Sequence, residues 1–173
     1  MIDTCQFKPT VVYTIYIATT PEKVWQALTS PEFSRAWFSG FAVDIEPRVG
    51  GKFALLAPDG SVHIGGEVIV WDPPRKLVTT FDVNWEGLRE ALGTETVTYE
   101  IEPAGEAVRL TMIQANERDL SDDILSGGRM GWPAILSNLK SLLETGKVAK
   151  IEMQPPMRMI EALKTMGVKI PGM

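Results

Sequence analysis

The chain has 173 residues, 45% of them hydrophobic and 23% charged, which suits one soluble globular domain with a sizeable core. A formal net charge of −5, with no arginine-lysine cluster to offset it, argues against nucleic acid or an anionic membrane surface as main partner. No apolar run nears the roughly 18 residues of a membrane span, no charged-then-apolar leader is present, and a lone cysteine, Cys5, excludes an internal disulfide framework, so a cytoplasmic protein is expected.

Residues 1 to 9 have no clear period and are expected to form a mobile lead-in. Alternation begins at Val11, where Val11, Tyr13, Ile15 and Ile17 share one phase of a first strand. Thr20-Pro21 and Ser30-Pro31 each place a capping residue before a proline, the pattern of a helix start, and predict two short helices in succession. Geometrically these form a helix-turn-helix, but the acidic balance makes DNA a poor partner for it. Strands follow at 41–45, 52–55, 62–70 and 77–83, separated by turn residues at Gly50-Gly51, Pro58-Asp59-Gly60 and Asp72-Pro73-Pro74.

Residues 84 to 93 do not alternate. Trp85, Leu88 and Leu92 have helical spacing, which predicts a long apolar connection of the kind that often carries function. Two more strands, around 97–101 and 108–112, precede Ser126-Gly127-Gly128-Arg129, expected to be flexible. A long helix is expected from about 130 to 145, with Pro133 in its first turn and Gly146 at its end. Its apolar face is Ile135, Leu136, Leu139, Leu142 and Leu143. The fold class expected is α+β: a curved antiparallel sheet of about seven strands wrapped on one long C-terminal helix. Residues 10–146 are read as this domain and 147–173 as an extension whose short amphipathic helix carries Met157, Ile160, Leu163 and Met166. A helix that short is expected to dock on something, either its own domain or a second copy.

An ordered set of motifs then resembles a known family. Ala18-Thr19-Thr20-Pro21-Glu22-Lys23-Val24-Trp25, Ser30-Pro31-Glu32 with Trp37-Phe38, Val49-Gly50-Gly51-Lys52-Phe53, Gly66-Glu67-Val68, Arg109-Leu110-Thr111-Met112 and Gly131-Trp132 are arranged as in the START-like (SRPBCC) superfamily. The branch is the one similar to the C-terminal domain of the activator of the heat-shock-protein-90 ATPase. The resemblance implies a helix-grip fold with an apolar cavity between sheet and helix. It leaves function open among lipid or polyketide binders, cyclases, chaperone activators and antibiotic-binding proteins.

Catalytic constellations are scarce. His63 is the only histidine, so a multi-histidine metal site is excluded, and strand alternation places it on the surface. Cys5 has no histidine near it in sequence. Asp44, Glu46, Asp82, Glu100 and Glu102 fit a solvated sheet face, and Glu117, Asp119, Asp122 and Asp123 fit the charge favoured at a helix start. No catalytic residue, metal or cofactor is assigned. The inward phase supplies a candidate ligand-binding set instead: Phe53, Leu55, Val68, Thr79, Phe81, Tyr99, Met112 and Gln114 from the strands, with Trp37, Trp132 and Leu136 facing them. Gln114, an amide ending an apolar phase, is the candidate for orienting a ligand. The expected function is non-catalytic binding of a small apolar or aromatic molecule. The alternatives are a protein-interaction or chaperone-cofactor module and a cofactor-free cyclase using Tyr99 or Gln114.

Overall fold

The computed structural model describes residues 2–173; Met1, the start of the lead-in, lies outside them. Strand β1 (Lys8–Ile17) is followed by α1 (Pro21–Thr29) and α2 (Pro31–Trp37). Thr20 Oγ1 accepts the backbone N–H of Lys23, and both helices have proline in the first turn, as expected. Ser30 differs, since its side chain caps nothing. Its neighbour Ser34 is the anchor there, with a hydroxyl that donates to Pro31 O and accepts from Val43 N.

Strands β2 (Ala42–Ile45), β3 (Lys52–Leu56), β4 (Val62–Asp72), β5 (Lys76–Thr80) and β6 (Asp82–Val83) come next, then α3 (Leu88–Leu92), β7 (Glu95–Ala104) and β8 (Ala107–Asn116). The long helix α4 (Asp122–Thr145) and a final α5 (Met157–Thr165) complete the chain. The sheet is antiparallel and eight-stranded, in the order β1-β8-β7-β5-β4-β3-β2, with β6 also on β4. Its inner face packs on α4 through Trp132, Leu136 and Leu139, all essentially buried. This is the helix-grip arrangement.

The run expected as one strand over 77–83 breaks at Phe81. Thr79 pairs with Val68 of β4, whereas Val83 pairs with Ile64. Between these registers, Gly66 lies against Thr80 so closely that a Cβ would fall on the Thr80 carbonyl and hydroxyl, and Thr80 Oγ1 accepts Glu67 N at 2.8 Å. Glycine is needed here for close backbone approach. Past Phe81, whose N–H still donates to Glu95 O at 2.9 Å, β6 follows β4 and leaves β7. The sheet therefore splits between β6 and β7, and α3 spans the segment joining them.

Helix α4 begins eight residues before the expected position of about 130. Ser121 caps it by accepting Ile124 N, and Asp122 and Asp123 place negative charge in the first turn. Ser126-Gly127-Gly128-Arg129 is thus helical. Its glycines lie where neighbours leave no room: a Cβ on Gly128 would sit 2.5 Å from Gln114 Oε1, and one on Gly127 would meet the Met159 sulfur. Propensity would end the helix here, but packing against β8 and α5 continues it. Pro133 consequently lies in the helix interior rather than its first turn, and Gly146 ends the helix at φ 77°.

The tail is docked. Ile160 and Leu163 of α5, with Val168 and Ile170, are buried against Leu88 of α3 and Ile124 of α4 in a second apolar cluster. Met157 and Met166, expected on the same stripe, remain 65% and 47% exposed.

Candidate ligand site at the split in the sheet

Between the sheet and helices α1 and α2, Trp37, Phe53, Leu55, Thr79, Phe81 and Tyr99 surround a void of about 20 Å³, together with Phe38 and Val43. Val68, Met112 and Leu136, from the same expected set, have no exposed surface and fill the core around it. The void has space for little more than a water molecule, so the interior is close-packed rather than hollow. Aromatic rings account for much of the filling. Phe38, Phe81 and Tyr99 stand 5.9, 5.8 and 6.4 Å from the Trp132 ring, centre to centre, and Trp37 is fixed by its indole N–H donating to Ala27 O at 2.9 Å.

A polar thread crosses one end of this aromatic interior. Trp132 Nε1 donates to Gln114 Oε1 at 3.0 Å, Gln114 Nε2 donates to Glu95 Oε2 at 2.6 Å, and Asn116 Nδ2 donates to the same oxygen at 3.1 Å. Thr10 Oγ1 closes the thread on Asn116 Oδ1 at 2.6 Å. Chemistry fixes the direction: an indole N–H only donates, so Gln114 presents its oxygen to Trp132 and its amide hydrogens to Glu95. Strand register brings the members together. Glu95 lies opposite Asn116, Gln114 is two residues along β8 on the same face, and the irregularity between Pro9 and Val11 falls at Thr10.

Glu95 itself lines a second space beneath α3, about 30 Å³, walled by Phe81, Leu88 and Leu92, with Asp82, Val83, Arg89 and Gly93 at its edge. Phe81 belongs to both spaces and divides them. Burial pushes the Glu95 carboxyl up to about 7, against the two amide donors that favour its charged form; the charge on Asp82 raises it further. Burial also raises Asp82, an effect opposed by Arg89, which lies 3.8 Å away. The Tyr99 phenol is pushed up by burial as well.

Gln114 is thus joined to Trp132, as an orienting group would be, but its other partner escaped the sequence reading. Glu95 is not on the solvated face: it shares the inward phase of Val97, Tyr99 and Ile101, a signal visible two residues before the expected start of that strand. His63 is half-buried, not a surface residue, and its ring stacks on Phe41 with centres 4.1 Å apart. Burial lowers its pKa.

Residues 18–144 match the family described as Activator of Hsp90 ATPase homolog 1-like protein. The chain belongs to that family. A solved protein from Mesorhizobium loti is similar at 29% identity, with a TM-score of 0.63 over 77% of this chain and 96% of that one. The Aha1 dimer from Colwellia psychrerythraea has 21% identity and a TM-score of 0.63 over 79% and 97% of the two chains. An HSP90 activator from Plasmodium falciparum has 23% identity and a TM-score of 0.61 over 77% and 94%. At these identities the last two share the fold. No curated relative matches the sequence. Among the described residues, no helix of this family member is long and apolar enough to cross a membrane.

The matched region ends within α4, so the tail lies outside it. Within this member of the family the tail holds the cover of the Glu95 space: Lys169 N donates to Glu86 O at 2.9 Å, Lys169 Nζ pairs with Glu86 at 2.6 Å, and Leu88 enters the tail's apolar cluster. Truncation after Gly146 is expected to leave the sheet and α4 folded while the α3 amides lose their protection. Hydrogen exchange read by mass spectrometry checks this, with faster exchange confined to residues 84–94 and the first turns of α4 as the expected result.

Proposed function

We propose that this protein binds a small, mainly apolar or aromatic molecule between its sheet and α4, with the Glu95–Gln114–Trp132 thread at the polar end of the site. The observation that carries this reading is the thread itself. A filled core is most stable when wholly apolar, and a buried carboxyl is costly there. Here a partly buried one lies beside Phe81, Leu88 and Leu92, with Oε2 satisfied twice and no hydrogen bond to Oε1 from any described residue. Pockets for small ligands combine apolar walls with a few such fixed polar groups.

The volumes in hand, about 20 and 30 Å³, are too small for an organic ligand, so binding requires Phe81 and α3 to move. The backbone suits that motion, because α3 is flanked by Gly87 and Gly93 at φ 84° and 74°, a region costly for other residues. Glu95 also answers the objection that the site holds no base, but no nucleophile stands beside it and the neighbouring acid, Asp82, is turned to Arg89 at 3.8 Å, so the reading is binding rather than turnover. A cytoplasmic location belongs to the same proposal. Native mass spectrometry of the protein from its own host, followed by a denaturing run, tests it. The expected result is a mass excess that disappears on denaturation and is diminished in Trp132→Phe, which cannot hold Gln114. A clean apo mass that stays unchanged in the presence of aromatic probes would count against it.

The family description supports a second reading, contact with a protein partner. The feature of this chain that fits is an open groove of about 660 Å³ along β4, β6 and α3, with Trp85 in its wall and Glu67, Asp82, Glu86 and Glu90 around it. A basic segment of a chaperone or a second copy of the chain would suit that charge. Loss of such a complex in a Glu86→Lys, Glu90→Lys double variant, read by analytical ultracentrifugation, would favour this reading.

A further inference from the structure

We propose that Oε1 of Glu95 is the anchor for a protonated amine carried by the ligand's aromatic body, which enters beneath α3. This deepens the reading above and rests on it. The geometry separates the two carboxyl oxygens. Oε2 receives Gln114 Nε2 and Asn116 Nδ2, and Glu95 is one of the residues lining the space bounded by Phe81, Leu88 and Leu92. Trp132 holds Gln114 and Thr10 holds Asn116, so both donors to Oε2 are themselves fixed.

The second observation is the missing cation. Among the described residues Glu95 has no ion pair. The nearest candidate, Arg89 of α3, is turned to Asp82 at 3.8 Å. A partly buried carboxylate satisfied only by amides lacks the compensation that a positive charge supplies. The charged groups around it favour the same sign of ligand. Asp82 of β6 acts on Glu95 directly and Glu117, past β8, acts on Asp82; Arg89 is the one opposing charge, and Arg118 is spent on the carbonyls of Glu90 and Ala91. Helix α4 faces the thread with Trp132 and Gly128, and β1 with Thr10. Phe81, in the wall of the space and backed by Trp132 at 5.8 Å, offers the ring against which an aromatic ligand would lie. A neutral aromatic would leave the carboxylate as uncompensated as before, whereas an amine would supply the missing charge.

The amine's affinity follows the carboxyl's ionisation. Below neutrality Glu95 is protonated, and an amine must displace that proton; above neutrality it meets the carboxylate directly. The test uses benzylamine and its neutral counterpart benzyl alcohol, titrated against the full-length protein by calorimetry with two-dimensional NMR as a check on the fold. At about pH 8, benzylamine is expected to bind at least about tenfold tighter than the alcohol. At about pH 6 the preference shrinks and amine binding releases a proton, seen as a heat that varies with the buffer's ionisation enthalpy. In Glu95→Gln, shown to be folded by the same spectra, the two probes bind alike.

Equal affinity for the two probes in the parent protein, or a preference that survives Glu95→Gln, would overturn the amine assignment and leave apolar binding standing. Tighter binding of the alcohol at low pH would overturn it too, by making the protonated carboxyl a donor. Binding of neither probe would overturn this assignment together with the reading beneath it.

Discussion

Replacing Glu95 with glutamine is expected to stabilise the protein at neutral and alkaline pH. The folded carboxyl titrates at about 7, against 4.5 for an ordinary glutamate. Below 4.5 both folded and unfolded states hold the proton, and the residue contributes no pH dependence. As the pH rises from there to about 7, the unfolded chain ionises while the folded one stays protonated, so stability falls; above that it is constant at the lower level. At about 1.4 kcal/mol per pH unit the total loss is at most about 3 kcal/mol, less for the part of the carboxyl that water still reaches. Glutamine keeps an acceptor oxygen for Gln114 and Asn116 and has no charge to bury. The expected outcome is a melting temperature about 5–10 °C above the parent's at about pH 8, with the gap closing as the pH falls below about 5. Melting curves of the two proteins across that range check it, and parallel curves would mean that Glu95 is better solvated than its surroundings suggest.

Phe81→Ala is expected to have an opposite and larger effect. The ring packs against Phe38, Phe53 and Trp132 at 6.5, 6.2 and 5.8 Å and forms the wall between the two interior spaces. Its removal costs the burial of an aromatic side chain and leaves a cavity, about 3–5 kcal/mol in well-packed proteins. The space created joins the region lined by Tyr99 and Thr79 to that lined by Glu95 and Leu88. Dry apolar cavities of this kind take up small aromatics. Benzene at ten times its dissociation constant is therefore expected to return about 1.4 kcal/mol of the lost stability, measured as a rise in melting temperature absent from the parent. If benzene leaves the variant unmoved, neighbouring rings have collapsed into the gap, and the aromatic interior is a core without a latent site. Phe81→Leu, which keeps most of the volume, is the milder companion.

Much of this architecture was legible because local signals agreed with the global fold. Proline in the first turn at Pro21 and Pro31, the two-residue period of the strands and the stripe through Leu136 and Leu139 each have one reading. The features that escaped are those decided by a distant neighbour. Gly127 and Gly128 read as a flexible stretch because the sequence does not reveal Met159 or Gln114 filling the space above them. The break at Phe81 could not be read from a run that alternates cleanly through it, since the cause is Gly66 pressed on Thr80 from another strand. In the candidate site, Gln114 stood out as an amide on an apolar phase, and Trp132 as a face of the long helix. Glu95 stood just outside the apolar run, and a carboxylate at a strand end is solvated in most proteins. Only the positions of Asn116 and α3 reveal that this one is partly withdrawn from water.

The docking of the tail on α3 has a consequence for how this protein can be altered or compared. Between 72 and 80 positions of sequence separate Leu88 from Ile160, Leu163 and Val168, yet together they form one apolar cluster. For grafting, shuffling or tracing descent, the connection and the tail act as a single cassette. A chimaera that inherits this connection without this tail carries a wet aliphatic face beside the split in its sheet, and one that inherits the tail alone carries an amphipathic helix with nowhere to rest.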